Sequence, residues 1–194
     1  MTETWYEAML LMPAKELPAG PGWSYEPKLD GYRVLGRIST GRAVVRSRHG
    51  TDFTGRFPEA SAGLLHAFNG HTAFIDGEIV GHDHSTGQPS FSALQRKHSR
   101  AVLYIFDLLE LDGDVLVQNP LQERRAALSE VIQPGPHVNS VAWFEDCDQT
   151  VQACQTFGLE GVIAKRTSSP YRQGRRHADW QKMRFPDYPT GFGR

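Results

Sequence analysis

The 194-residue chain has little cysteine: only Cys147 and Cys154, seven positions apart. That spacing is too wide for a C-x-x-C zinc or redox site and allows at most one bridge, so a reducing, cytoplasmic protein is expected. Long apolar runs are missing. The longest nearly apolar stretch, 101–111, already contains Asp107 and Glu110. The first eleven residues carry Glu3 and Glu7 where a secretory leader would carry basic residues. Neither a membrane span nor a signal peptide is predicted. Repeats and low-complexity tracts are absent too, as is any G-x-x-x-x-G-K-[ST] phosphate loop, which excludes an ordinary P-loop ATPase. Charge of one sign is also lacking: 21 Lys and Arg against 22 Asp and Glu leave −1, so bulk charge gives no case for a nucleic-acid binder.

What is present is a foldable composition, 39% hydrophobic and 22% charged, of a length that suits one domain. The charge is segregated along it. Residues 33–56 hold six Arg against one acid, and residues 160–184 hold seven Lys or Arg against two acids. Residues 104–130 hold six acids against two Arg. Such blocks can fold into a one-sided positive surface despite a neutral total.

Strand patterns occur at 23–28, at 32–38 and 43–47 (a hairpin across Ser39-Thr40-Gly41-Arg42), and at 73–80, 102–109, 138–144 and 161–165. Helices are predicted at 58–68, at 148–157 closed by Gly158, and from Asn119 as N-cap with Pro120 in the first turn to Ile132; a shorter one is predicted at 91–96. Without regular βαβ alternation, the class is α+β with mainly antiparallel sheet.

Several residues invite chemistry. Lys28 leaves a strand into Leu29-Asp30-Gly31 amid Trp23, Tyr25 and Tyr32, where desolvation can free a nucleophilic amine; alone, K-x-D-G reads more often as a solvated turn. Asp76 and Glu78 alternate with Ile75 and Ile79, either as the wet face of a strand or as ligands of a ribose or divalent cation. Phe106, in Y-I-F-D-L-L, is a core residue or a base-stacking one. Glu160 and Lys165 bracket an apolar strand but differ in parity, so they can share one site only if Gly161 bends the strand or Glu160 lies in the turn before it. Trp180, Lys182 and Arg184 share parity, placing two cations on one face. His82-Asp83-His84 reads as an exposed loop rather than a metal cluster. Arg172 to Arg176 reads as a solvated turn or as a DNA-facing loop.

Taken in order, K-L-D-G (28–31), S-R-H-G (47–50), D-G-E-I-V (76–80), Y-I-F-D-L-L (104–109), E-G-V-I-A-K (160–165) and W-Q-K-M-R (180–184) resemble motifs I, Ia, III, IIIa, IV and V of the ATP-dependent DNA ligases. The resemblance runs from about Trp23 to Arg184, nearly the whole chain. W-S-Y-E-P-K-L-D-G-Y-R-V and P-S-F-S-A-L-Q-R are most similar to the ligase domain of the end-joining bacterial ligase D type.

The resemblance implies a nucleotidyltransferase fold of two packed, mainly antiparallel sheets with flanking helices and the nucleotide between them. It implies Lys28 as the nucleophile that takes AMP from ATP, and a nucleotide-binding set of Glu26, Lys28, Arg33, Arg48, Glu78, Phe106, Lys165, Lys182 and Arg184. Glu78 would hold the ribose, Phe106 the adenine, Lys165 and Lys182 the α-phosphate. Glu78 and Glu160 would hold Mg²⁺ or Mn²⁺. Arg184 stands where the family usually has lysine, a change that keeps a phosphate-binding charge. Nicked or broken duplex DNA would be met by Arg33, Arg48, Arg96, Lys97, Arg172, Arg175 and Arg176, through phosphates rather than base edges.

The implied organisation is a lead-in (1–22), an adenylation domain (23–185) and a tail or linker (186–194), with no following OB-fold domain. The reaction with ATP is then the step expected to be weakest. A Ku-type end-joining protein or a separate OB-fold domain is an implied partner, and a monomer is expected. An RNA ligase or capping-type nucleotidyltransferase is the enzymatic rival, separable by ATP against GTP; a non-catalytic DNA-break-binding module is the other.

Overall fold

Alternation along each strand decides which side of a sheet is buried against what. In the computed structural model, which describes residues 4–83, 87, 89, 91–95 and 100–189, strand β1 spans Leu10–Pro13, β2 Trp23–Lys28, β3 Tyr32–Ser39, β4 Arg42–Ser47 and β5 Ala73–His82. They are followed by β6 (Arg100–Leu111), β7 (Asp114–Val115), β8 (Val138–Ser140), β9 (Gly161–Arg166) and β10 (Arg176–Arg184). Three α-helices are present among the described residues: α1 (Pro58–Phe68), α2 (Leu121–Val131) and α3 (Cys147–Thr156).

One sheet runs β4-β3-β5-β6-β7 with β8 alongside β6, and the other β1-β10-β9-β2. All pairings are antiparallel except β1 with β10 and β8 with β6. On the first sheet Val34, Ile38, Ile75, Ile79 and Leu103 pack against Leu64 and Phe68 of α1. Its other face carries Leu35, Phe74 and Leu109, which meet Tyr171 and Trp180 of the second sheet's side. Behind the second sheet, Cys154 of α3 joins Trp23, Tyr25, Val162 and Ala164. The result is helix, sheet, sheet, helix, as α+β patterning predicts, and the space between the sheets is the natural place for a groove.

The structure corrects four local expectations. Pro120 occupies the N-cap position of α2 instead of its first turn, and Asn119 does not cap: its amide donates to Glu123 (3.3 Å). The strand expected at 138–144 ends at Ser140; Val141 still donates to Ile105 O, but Phe144 has crossed to pair with Tyr25 of the other sheet, so the segment bridges the two sheets. The short helix at 91–96 is a 3-10 turn over Phe91–Gln95. Helix α3 begins one residue earlier than expected, because Asp146 caps it by accepting from Gln149 N (2.9 Å). Both cysteines are free thiols, and no described helix is long and apolar enough to cross a membrane. Arg96 and Lys97 of the predicted DNA-binding set, and His84, lie outside the described residues.

Candidate active site

Residues paired directly across antiparallel strands share a face. β2 pairs with β9 so that Ser24 stands opposite Lys165, Glu26 opposite Ile163 and Lys28 opposite Gly161. β9 pairs with β10 so that Lys165 stands opposite Trp180, Ile163 opposite Lys182 and Gly161 opposite Arg184. This register puts Glu26, Lys28, Lys165, Trp180, Lys182 and Arg184 on one face of the second sheet. Arg33, Glu78 and Phe106 approach from the first sheet, and Glu26, Lys28, Arg33, Glu78, Phe106 and Lys165 all line the groove between them.

The parity conflict between Glu160 and Lys165 resolves in favour of the turn: Glu160 precedes β9 and is not part of it. From there its carboxylate pairs closely with the Lys28 ammonium and lies 3.4 Å from Arg184 Nε. Two glycines allow these approaches. A Cβ on Gly161 would lie 2.0 Å from Met183 O, and one on Gly31 2.1 Å from Ile79 O, so any side chain would push β9 off β10 or the K-L-D-G turn off β5. Phe106 owes its aim to an irregularity. Asp76 pairs with Asp107 and Gly77 with Ile105, which leaves Phe106 as the extra residue of a β-bulge. The bulge turns its ring toward Trp180 (6.3 Å, edge to face) while Ile105 and Leu108 both stay in the α1-side core.

Lys165 is the most enclosed cation of the site. Its Nζ lies 2.9 and 2.7 Å from the two Glu26 oxygens and 4.3 and 4.2 Å from the ring centres of Phe106 and Trp180. Burial lowers its amine pKa, with Glu26 opposing. Arg33 donates to both Asp76 oxygens (3.0 and 2.6 Å), and the Tyr171 hydroxyl donates to the same carboxylate (2.6 Å). Asp76 is thereby occupied, so the two acids of D-G-E-I-V have separate tasks, and Glu78 alone faces the groove. Burial, more than any neighbour, pushes the Glu78 carboxyl up to about 7; Lys28 and Arg33 pull it down, and Asp76 and Glu160 raise it further.

The other predicted residues are placed less centrally. Arg48 is exposed beyond β4 and donates from Nε to His49 Nε2 (3.0 Å); its backbone N–H alone reaches Arg33, at the carbonyl (3.1 Å). Arg33 lines the groove between the sheets. Arg172 pairs with Asp179 (3.3 Å), Arg176 donates to Leu11 O, and Arg175 is exposed. Both ring nitrogens of His82 are engaged, by Gly87 O (3.0 Å) and the Tyr104 hydroxyl (3.2 Å). Among the described residues no group of three or more His, Cys, Asp or Glu is arranged for a metal.

Three contributors escape a reading by motif. Arg124 and Arg125 look like the solvated side of α2, yet both are buried; their spacing of three and four from Leu121 and Leu128, on the apolar stripe, is the signal that finds them. Tyr188, beyond the last motif, reaches Asp30 Oδ2 with its hydroxyl (3.3 Å), and burial followed by Asp30 pushes that phenol up to about 12. A larger cavity, about 590 Å³, lies behind Arg125 between Trp23 and Trp143, but it holds none of the motif lysines. The free volume of the groove itself is about 60 Å³, and the Lys165–Glu26 pair is part of its lining.

A family model described as the ATP dependent DNA ligase domain matches residues 13–184. The chain belongs to that ligase family. It is 38% identical over 162 residues to the multifunctional non-homologous end joining DNA repair protein LigD of Mycobacterium tuberculosis, and the alignment covers 82% of this chain and 21% of that protein. It is 37% identical over 177 residues to LigD of Pseudomonas aeruginosa (87% and 21%), and 34% identical over 176 residues to a DNA ligase of Pyrobaculum calidifontis (82% and 30%). Among solved structures, mycobacterial DNA ligase D complexed with ATP and MES superposes with a TM-score of 0.81 at 34% identity, covering 92% of this chain and 60% of that one. The ligase domain from M. tuberculosis LigD gives 0.79 at 34%, covering 92% and 59%. The ligase-family chain thus spans about a fifth of the LigD proteins it matches, in the part that carries the ligase fold.

Proposed function

We propose that this chain is the adenylation core of an ATP-dependent DNA ligase, with residues 23–185 as its catalytic domain. The observation that carries the reading is the placement of Lys28 against Glu160, on one sheet face with Lys165, Lys182 and Arg184 and across from Glu78 and Phe106. The Lys28 amine attacks the α-phosphorus of ATP. A P–N bond forms, the bond to the pyrophosphate oxygen breaks with its electron pair, and the Glu160 carboxylate beside Nζ is placed to take the proton. Lys165, Lys182 and Arg184 stabilise the charge that builds on the phosphate oxygens, from positions fixed before the reaction begins. Phe106 offers its ring to adenine. Glu26, Glu78 and Arg33 complete the nucleotide contacts. A DNA 5′-phosphate oxygen then displaces Lys28 from AMP, and the 3′-hydroxyl closes the strand as AMP leaves.

Glu78 and Glu160 suit Mg²⁺ or Mn²⁺. Glu160 is close enough to raise the cost of charging Glu78, and a pair without a third acid fits a cation that keeps waters and takes phosphate oxygens. When bound, the metal neutralises charge on the triphosphate. The LigD names of the relatives support a place in end-joining DNA repair; nicked or broken duplex DNA as the substrate, a Ku-type protein or an OB-fold domain as partner and the cytoplasm as location are further parts of the proposal.

The test is intact mass before and after ATP and Mg²⁺, for the wild type and Lys28→Ala. A gain of about 329 Da, one AMP, only with Lys28 present is the expected result. No gain from ATP, together with no sealing of a pre-adenylated nick, would overturn the reading.

A further inference from the structure

Arg125 lies outside every motif and does not line the groove, yet it is the wall between the groove and the larger cavity. Its side chain is 8% exposed and its guanidinium stacks over Trp143 (5.1 Å) on the cavity side. On the groove side Nη1 donates to Ser24 Oγ (2.7 Å) and Nη2 donates to Glu26 Oε1. The same Glu26 carboxylate, 2% exposed, holds Lys165 with both oxygens. One buried carboxylate therefore serves two buried cations.

This matters for what Lys165 can do. A phosphate contact requires Lys165 to loosen its hold on Glu26. With a lone Lys165–Glu26 pair, that movement would strand a carboxylate in a dry pocket, the most expensive way to break a buried ion pair. With Arg125 in place, Glu26 keeps a cation and a charge-assisted hydrogen bond while Lys165 turns away. Ser24 fixes the guanidinium so that it cannot follow.

We propose that Arg125 is a positioning residue for Lys165: by keeping Glu26 paired, it releases Lys165 to the nucleotide phosphates. The inference rests on the adenylation reading above. It assigns a function in the reaction to a helix that otherwise only packs the two sheets together.

The experiment is a double-mutant cycle on the intact chain, reading single-turnover lysyl-AMP formation at saturating ATP and Mg²⁺, ATP affinity in EDTA, and melting temperature. Arg125→Gln should slow lysyl-AMP formation by about tenfold to a hundredfold, the worth of one charge-assisted hydrogen bond. In a Glu26→Gln background, where no carboxylate can be stranded, the same substitution should cost less than about twofold relative to Glu26→Gln alone. A purely structural Arg125 would lower the melting temperature and cost the same factor in both backgrounds; that result, or an Arg125→Gln variant within about twofold of wild type, overturns the inference. If Arg125→Gln does not fold, Arg125→Lys carries the same comparison. It keeps the charge but loses the fork to Ser24 and Glu26, so its loss must be smaller and must vanish with Glu26→Gln; a loss that persists there, or none in either background, overturns the inference. A wild type that gains no AMP removes the adenylation reading and this inference together, whereas an active wild type with uncoupled variants removes only the inference.

Discussion

Replacing Arg124 by methionine tests whether the site rests on its buried polar frame. Arg124 and Asp107 are both fully buried, with Nε and Nη2 donating to Oδ1 and Oδ2 at 2.7 Å each. Nη1 also donates to Asn119 O (2.7 Å) and Ser169 O (3.0 Å), so one side chain ties α2 to β6 and to the loop after β9. Arg124→Met keeps an apolar stem of similar length but leaves Asp107 charged and buried, with the Leu108 N–H as a remaining donor (2.9 Å). Breaking one side of such a pair costs about 3–5 kcal/mol. For a domain of this size that lowers the melting temperature by about 6–20 °C, a large share of a stability of about 5–15 kcal/mol. Replacing both partners, Arg124→Met with Asp107→Leu, removes the stranded charge and should return the chain to within about 2 kcal/mol of wild type. Thermal and urea unfolding followed by circular dichroism measure all three variants. An Arg124→Met protein within about 1 kcal/mol of wild type, or a double variant less stable than the single one, would refute the reasoning.

Three further outcomes follow from the same geometry. Because the Glu78 carboxyl is pushed from an ordinary 4.5 up to about 7, the folded chain holds that proton more tightly than the unfolded one, and stability falls as pH rises between those values. Without metal or nucleotide, Glu78→Gln should leave melting at pH 5 unchanged and raise it at pH 8 by about 2–8 °C, or about 1–2 kcal/mol once the groove's water is allowed for; an equal rise at both pH values contradicts this. Gly161→Ala places a Cβ 2.0 Å from Met183 O and should cost about 1–3 kcal/mol and most of the lysyl-AMP yield, so an alanine variant with wild-type yield counts against the close approach. Lys28→Arg keeps the charge facing Glu160 and should melt within about 1 kcal/mol of wild type while gaining no AMP by mass, since a guanidinium is not a nucleophile near neutral pH.

Much of this arrangement can be read from residue order, and the exceptions have physical reasons. Helix α1 is bounded by Pro58 and by Asn69-Gly70, local signals strong enough to place both ends. The hairpin of β3 and β4 follows from alternation around a positive-φ Gly41. Parity correctly separates Lys165 from Glu160, but it cannot say whether a bend or a preceding turn reconciles them; that depends on how closely β9 lies against β10. Phe106 needs a bulge that only its pairing with β5 reveals. β1 has four residues and ends in proline, too short to stand out before β10 offers a parallel partner. Asn119-Pro120 misleads because the residue after the proline, not the proline, opens α2. The segment from Val138 to Phe144 looks like one strand because both halves are extended, although they serve different sheets. Arg124 and Arg125 are obscured by a habit of reading charge as surface.

These hidden contacts share one logic. The groove is not lined with waiting cations: Lys28 is held by Glu160, Arg33 by Asp76, Lys165 by Glu26, and Arg184 lies against Glu160. Unpaired lysines and arginines gathered on one sheet face would repel and destabilise the fold before any nucleotide arrived. A carboxylate partner removes that repulsion, and its oxygens approximate the spacing and charge of the phosphate oxygens that would replace them. Binding a triphosphate is then largely an exchange of one set of anions for another. Such an exchange requires each displaced carboxylate to have somewhere to go. In the proposed reading Glu160 and Glu78 would be taken up by the divalent cation, and Glu26 has Arg125. The other partner of Asp76 is the neutral Tyr171 hydroxyl, a weaker hold on a stranded carboxylate than a second cation, so Arg33 is less free than Lys165 to leave its partner. In the adenylation reading proposed above, Arg33 would serve the groove as a fixed wall, and Lys28, Lys165 and Arg184 would be the cations that exchange partners.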